Sequence, residues 1–313
     1  MKVMFNRKLR REAWGGGAHA LSSLFDHLVK RGFSVVTSLD HNDIDVIVMF
    51  DPRPEAGGYS AQDLLKYKLQ HPHVKILHRV NECDARKNTS CMDTMLIQAN
   101  AIADETVFIS KWLCDHLSQK AVFQGKNHVI INGCNQDWFF PTGAWSLNSP
   151  VRVVTHHWSD HEMKGLDVYE TLNDLADHGA CEFTYIGRVK STFKPKSSRT
   201  HIIPPMYGQE LGKELRRHDI YVTGSRFEPC GMHHIEAASS GLPVIYHIDG
   251  GAIPEVCSSH GIPISNATHE HVALALLLAQ EDYGVLRWSI NYGNLSSERC
   301  NLAYEEVIRG MVS

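Results

Sequence analysis

Short apolar, β-branched runs recur along this chain, separated by stretches with a different period. Six fall in the first half: KVMFN (2–6), SVVTS (34–38), DVIVMF (45–50), VKILH (74–78), TVFIS (106–110) and HVIIN (128–132). Between them, AHALSSLFDHLVKRG (18–32) and SAQDLLKYKLQ (60–70) place apolar residues three and four apart, the helical period. The alternation predicts a parallel sheet covered by helices. PTGAWSLNSP (141–150) breaks the rhythm with Pro, Gly, Ser and Asn and reads as a linker. The rhythm then restarts with VRVVT (151–155), EFTYIG (182–187), HII (201–203), DIYVTG (219–224), LPVIYH (242–247) and GIPIS (261–265). Helices fit at about 164–178, 207–218, 231–240 and 267–280, and SERCNLAYEEVIRGMVS (297–313) reads as a last amphipathic helix. The expected architecture is α/β: two doubly wound parallel-sheet domains, 1–145 and 146–295, facing across a cleft. The tail, 296–313, is free to pack back on the first domain. In open α/β sheets ligands bind beyond the carboxyl ends of the strands, so the loops there carry the candidate chemistry.

Composition narrows the classes without choosing among them. The chain has 313 residues, 43% hydrophobic and 21% charged, with a formal net charge of −4. That suits a globular protein with a real core and offers no basic surface for a nucleic-acid partner. No apolar run approaches the ~20 residues of a membrane span, so a transmembrane segment is not expected, while a peripheral membrane contact stays open. The start, MKVMFNRKLRREAWGGG, is basic, but its apolar part is far too short for a signal peptide. Eight cysteines show no CxxC pair and no repeated spacing. They read as mostly buried thiols of a reducing, cytoplasmic protein rather than a zinc or disulfide framework. The oligomeric state is not legible.

Four loops hold candidate chemistry. Gly15, Gly16 and Gly17 follow the first strand and open a helix; glycines allow close backbone approach and a helix start favours anions. The spacing is not GxGxxG, which argues against a dehydrogenase, and a plain flexible turn is the competing reading. LHRVNECDARKNTS (77–90) puts His78, Arg79, Asn81, Glu82 and Asp84 just past a buried run; a charged surface loop is the alternative. THHWSDHEMKGLD (155–167) sets His156 and His157 at a strand end and Lys164 at a helix start, where an ammonium neutralises phosphate. His157 and His161 stand four apart like a metal pair, but no third ligand is evident. The richest stretch is SRFEPCGMHHIEAASSGLPVIYHIDGGAIPEV (225–256). Strand, loop, helix start and next strand converge there. Gly231, Met232 and His233 offer backbone N–H groups to a diphosphate. Glu236 and Glu228 offer carboxylates that accept two charge-assisted hydrogen bonds from a diol. The competing reading makes Glu236 a structural partner of its own helix turn or of a nearby Arg.

The 225–256 segment resembles the signature of retaining GT-B glycosyltransferases, the group that contains sucrose-phosphate synthases and mannosyl- and glucosyltransferases. The E-x7-E spacing is met by Glu228 and Glu236. SRFEPCG also resembles the matching loop of starch and glycogen synthases, which usually lack the second glutamate. GLPVI, GGAIPEV, INGCNQDWFFP (131–141), MKGLDVY and GGGAHAL each resemble further family segments, continuously in the second half and patchily in the first. The resemblance implies a GT-B fold of two Rossmann-like domains, acceptor-side 1–145 and nucleotide-sugar-binding 146–295. It implies sugar transfer from a UDP-, GDP- or ADP-sugar to a hydroxyl acceptor (a glycan, glycolipid or small molecule, as in polysaccharide biosynthesis). The anomeric configuration would be retained, without a metal or tightly bound cofactor. It further implies that Glu236 holds the ribose, Glu228 and the loop to Gly231 meet the transferred sugar, and Lys164 faces the leaving diphosphate. Gly16 and Gly17 would lie near phosphates and acceptor. Two places depart from the pattern. The family's Arg shortly before Lys-Gly is absent, leaving His156, His157 or Arg188 as substitutes. The family's histidine after the fourth strand has two candidates, His78 and Asn81. A non-catalytic sugar- or nucleotide-binding GT-B module, or a GT-B epimerase or phosphorylase relative, are the alternatives.

Overall fold

The computed structural model describes residues 1–9, 16–53, 58–143 and 146–312. The chain divides into two compact units: Met1–Asn132 together with Ser297–Ser313, and Gly133–Ser296. The division falls ahead of the Pro- and Gly-rich run that reads as a linker in the sequence. Gly15, in the predicted glycine loop, lies outside the described residues.

In the first unit the order is β1 (Lys2–Phe5), α1 (Gly16–Lys30), β2 (Ser34–Val36), β3 (Val46–Met49), α2 (Ala61–Gln70), β4 (Lys75–Val80), α3 (Met92–Asn100), β5 (Glu105–Phe108), α4 (Lys111–Ser118) and β6 (Lys126–Val129). The six strands form one sheet, β2-β1-β3-β4-β5-β6. All pairings are parallel, with Val3 opposite Val46 and Met49 opposite His78. The period of two in the strands explains the layers. Val3, Phe5, Val46, Val48 and Leu77 face Leu21, Leu24 and Leu28 of α1 and Cys300, Tyr304 and Ile308 of the C-terminal helix, Ser297–Gly310. Met4, Ile47, Met49 and Ile76 face Leu64 and Tyr67 of α2. Burial on both faces is why these strands read as unbroken apolar runs. Ser60 and Asp63 start α2 with a reciprocal capping box.

The C-terminal helix is tied to this unit by charge as well as packing. Glu305, 4% exposed, accepts from His27 (2.7 Å), Arg31 (3.0 Å) and Arg309 (2.9 Å). These donors hold its carboxyl at about 2, below the usual range, against the opposing effect of burial.

The second unit runs β7 (Arg152–His157), α5 (Leu166–Asp177), β8 (Glu182–Gly187), β9 (Thr200–Ile203), α6 (Gly208–Leu215), β10 (Ile220–Thr223), α7 (Met232–Ser239), β11 (Val244–His247), α8 (Ile253–Cys257), β12 (Gly261–Ile264), α9 (His269–Glu281) and α10 (Tyr283–Trp288). Its sheet order is β12-β11-β10-β7-β8-β9, again all parallel. Read from the other edge this is the doubly wound order 3-2-1-4-5-6, and winding reverses between β7 and β10. All twelve strands anticipated from the apolar runs are present. Two expectations are corrected. α3 and α4 occupy stretches where no helical pattern stood out. β4 continues to Val80, so His78 and Arg79 are strand residues rather than members of an exit loop.

Candidate active site

Where winding reverses, the loops after β7 and β10 lie side by side, and each carries one member of an ion pair. After β7 the chain makes a single 3-10 turn, Glu162–Lys164, closed by Gly165 at φ +78°. A Cβ on Gly165 would stand 2.1 Å from the Gly224 carbonyl oxygen, so only glycine lets the two loops approach. After β10 the loop from Gly224 to Gly231 leads into α7, with Gly231 as N-cap. Phe227 sits in the left-handed region at φ +51°, a strained state for an aromatic residue that its surroundings must impose. They do so on three sides. The Arg226 N–H donates to Met163 O (2.9 Å) and the Phe227 N–H to Asp249 O (2.8 Å), while Ala252 N–H donates to Glu228 O (2.8 Å). The Arg226 guanidinium grips Asp167, in the first turn of α5, with two bonds of 3.0 and 2.6 Å. This pair holds the Asp167 carboxyl below and the Arg226 guanidinium above their ordinary ranges.

The clamped loops bring Lys164 Nζ to 2.5 Å from Glu228 Oε2. Glu228 is 3% exposed, so the pair is largely withdrawn from water. Behind it stands a group of imidazoles. His156 Nε2 lies 2.9 Å from Glu236 Oε2, which joins the end of β7 to the middle of α7. His157 is buried against the Tyr169 hydroxyl (2.5 Å) and Thr155 (3.3 Å). Burial, then Lys164 and His156, push its ring well below the ordinary histidine range, so it is neutral at pH 7. His233 packs 5.0 Å from the His157 ring, and Met232 is half-buried at the start of α7.

The anticipated site residues therefore divide into three sets. Lys164, Glu228, Gly231, Met232, His233, His157 and Glu236 gather at this one edge. Arg188 is also at a strand exit, after β8. Its backbone N–H reaches His157 O (3.2 Å), but its exposed guanidinium lies 4.7 Å over the Trp158 ring rather than on the ion pair. Gly16, Gly17, Asn81 and His78 belong to the first unit. There a Cβ on Gly17 would stand 3.9 Å from Asn81 Nδ2, so the start of α1 and the exit of β4 are neighbours. His78 has no exposed surface, its Nδ1 lies 3.2 Å from Asn100 Nδ2, and burial pushes its pKa to about 3. It lies within β4, three residues before Asn81, which follows the end of that strand. His161 accepts from the Met163 N–H (3.2 Å) and does not pair with His157. Among the described residues no group of three or more His, Cys, Asp or Glu side chains is placed to hold a metal ion. Sequence reasoning missed the Arg226–Asp167 clamp; its one signal is an arginine two residues before Glu228.

Residues 156–282 match the family Glycosyl transferases group 1. The matched segment contains every member of the ion-paired edge just described. A glycogen synthase from Hydrogenovibrio crunogenus is 27% identical over 145 residues, which are 44% of this chain and 28% of that protein. The chain thus aligns with little more than a quarter of that relative's length. Among solved structures, the sucrose-phosphate synthase of Thermosynechococcus elongatus superposes with a TM-score of 0.71 at 15% identity, over 99% of this chain and 98% of that one. Anabaena Alr3699/HepE, in complex with UDP-glucose, superposes with a TM-score of 0.74 at 13% identity, over 99% and 100%. The fold is GT-B, and the segment that matches group 1 lies within the second unit, Gly133–Ser296.

Proposed function

We propose that the protein is a retaining glycosyltransferase that moves a sugar from a nucleoside diphosphate sugar to a hydroxyl acceptor. The observation that carries this is the buried Lys164–Glu228 pair at the switch point, inside the group 1 segment. UDP-glucose bound to Alr3699/HepE supports a nucleotide-sugar donor of the same class.

The reaction breaks the bond between the anomeric carbon and a diphosphate oxygen. The electron pair leaves with the phosphate, and the sugar passes through an oxocarbenium-like state. Fixed cations and N–H groups aimed at the leaving oxygen lower that barrier. Lys164 Nζ supplies the cation, and the backbone N–H groups at Gly231 and Met232 supply oriented donors. Glu228 accepts from the sugar hydroxyls and Glu236 from the ribose. The acceptor hydroxyl attacks the face that the diphosphate leaves, and its proton passes to a departing phosphate oxygen. Configuration is retained without an enzyme nucleophile. With Lys164 supplying the charge, we read the transfer as metal-independent. On the first unit, Gly16, Gly17 and Asn81 are the residues we assign to the acceptor side.

Incubation with UDP-, GDP- and ADP-sugars, followed by nucleoside diphosphate release in the presence of hydroxyl acceptors, tests the reading. One donor class is expected to turn over, and its diphosphate to raise the melting temperature. No release and no stabilisation by any of the three would overturn it.

A further inference from the structure

Two adjacent imidazoles occupy the first turn of α7, at His233 and His234. His234 is fully enclosed, and among the described residues neither ring nitrogen makes a hydrogen bond. His233 is placed differently. Its Nε2 lies 3.1 Å from Thr223 Oγ1, and that oxygen already accepts from the Ser225 N–H (3.2 Å). When the Thr223 hydroxyl donates to Nε2, the ring hydrogen sits on Nδ1, and this is the tautomer we assign. Among the described residues Nδ1 makes no hydrogen bond. Its direction is marked by Gly231: a Cβ there would stand 2.7 Å from His233 Nδ1 and 2.9 Å from Glu228 Cδ. The bare N-cap thus sets an imidazole N–H, the Glu228 carboxyl and the open end of α7 side by side.

The ring is 7% exposed and rigidly seated, with His157 and His234 at 5.0 Å and His156 and Tyr221 at 6.3 Å between centroids. Burial, and then the neighbouring His234, His157, Lys164 and His156, keep it well below the ordinary histidine range. At pH 7 it is a neutral, oriented donor.

We propose that the His233 side chain is a direct ligand of the donor diphosphate, its Nδ1–H binding an oxygen of the sugar-proximal phosphate beside Lys164. The inference rests on the donor reading above. Nearness to Glu228, the sugar-side carboxylate, selects the proximal phosphate.

The test compares nucleoside diphosphate with monophosphate binding by calorimetry, using UDP/UMP, GDP/GMP and ADP/AMP on the full chain. Wild type is expected to prefer one diphosphate over its monophosphate. His233→Phe should lose roughly 10- to 100-fold of diphosphate affinity while monophosphate affinity holds, because one hydrogen bond to a charged group is removed. His233→Asn, whose amide reaches the Nδ1 position, should keep the preference, and His233→Gln, which reaches toward Nε2, should lose it. Asn and Gln behaving alike, or Phe keeping the wild-type preference, overturns the proposal and leaves the donor reading intact. If no diphosphate binds wild type, the donor reading itself fails. Should His233→Phe not fold, the Asn and Gln pair decides the matter.

Discussion

Removing the Lys164 ammonium while Glu228 stays in place gives the sharpest test of the ion-paired edge. In Lys164→Met the volume is nearly kept, but a carboxylate 3% exposed loses a cation that stood 2.5 Å away. Stranding one partner of a buried pair destabilises by roughly 3–5 kcal/mol, because the remaining charge keeps its desolvation penalty. For a unit of this size each kcal/mol lowers the melting temperature by roughly 2–4 °C, so a fall of about 6–20 °C is expected. Glu228→Gln on the same background removes the stranded charge and should recover most of the loss. The double-mutant cycle then reports a coupling of at least about 2 kcal/mol. Melts of wild type, both single variants and the double variant, each with and without UDP, GDP and ADP, provide the data. The donor reading adds a second expectation: the stabilising diphosphate should lose its effect in Lys164→Met and in the double variant alike. A cycle coupling under about 0.5 kcal/mol would show that the pair is wet and loosely held. The reasoning about charge at the leaving group would then fail with it.

Glu305 has its carboxyl depressed to about 2 from an ordinary 4.5, so its contribution is complete above pH ~4.5 and is lost as pH falls through about 2. Glu305→Gln should therefore lower urea stability by about 1–3 kcal/mol at pH 6, and the gap to wild type should close near pH 2. Asp167→Asn releases the clamp on Arg226; with Asp167 itself half in solvent, stability should move by under about 1 kcal/mol, while turnover falls roughly 10-fold at unchanged diphosphate affinity. Gly165→Ala places a methyl 2.1 Å from the Gly224 oxygen at φ +78°, and melting should show a loss of about 2 kcal/mol or more.

How much of this was readable in the sequence varies with the range of the interaction. The strands were readable because parallel strands buried on both faces leave unbroken runs such as DVIVMF, whatever lies between them. The α7 residues were readable because Gly231, Met232, His233 and Glu236 are neighbours along the chain. α3 was not, since its apolar face is narrow and its start at Cys91 has no side-chain cap. β4 was cut short at His78 because a histidine and an arginine ended the apolar run. The fold buries both, giving Arg79 the Tyr304 hydroxyl (3.0 Å) and Asn132 (2.9 Å) as partners. Those partners lie far away in sequence and leave no local trace.

The same limit explains the site. Lys164 announces itself beside Gly165 and Glu228 three residues before Gly231, but what sets their separation is a contact between two loops. Gly165 against Gly224, Arg226 on Asp167 and Arg226 N–H on Met163 O act together as one brace across the switch point. A brace of that kind makes the ammonium and the carboxylate a unit rather than two independent ligands. Changes within it should then be non-additive with Lys164→Met, whereas changes at Arg188, which rests on Trp158, should add to it. A cycle that pairs Asp167→Asn with Lys164→Met, set beside one that pairs Arg188→Ala with Lys164→Met, separates the two cases. Equal coupling in both would mean that the switch-point loops are positioned by the sheet alone, and that the Arg226 clamp contributes nothing to the site.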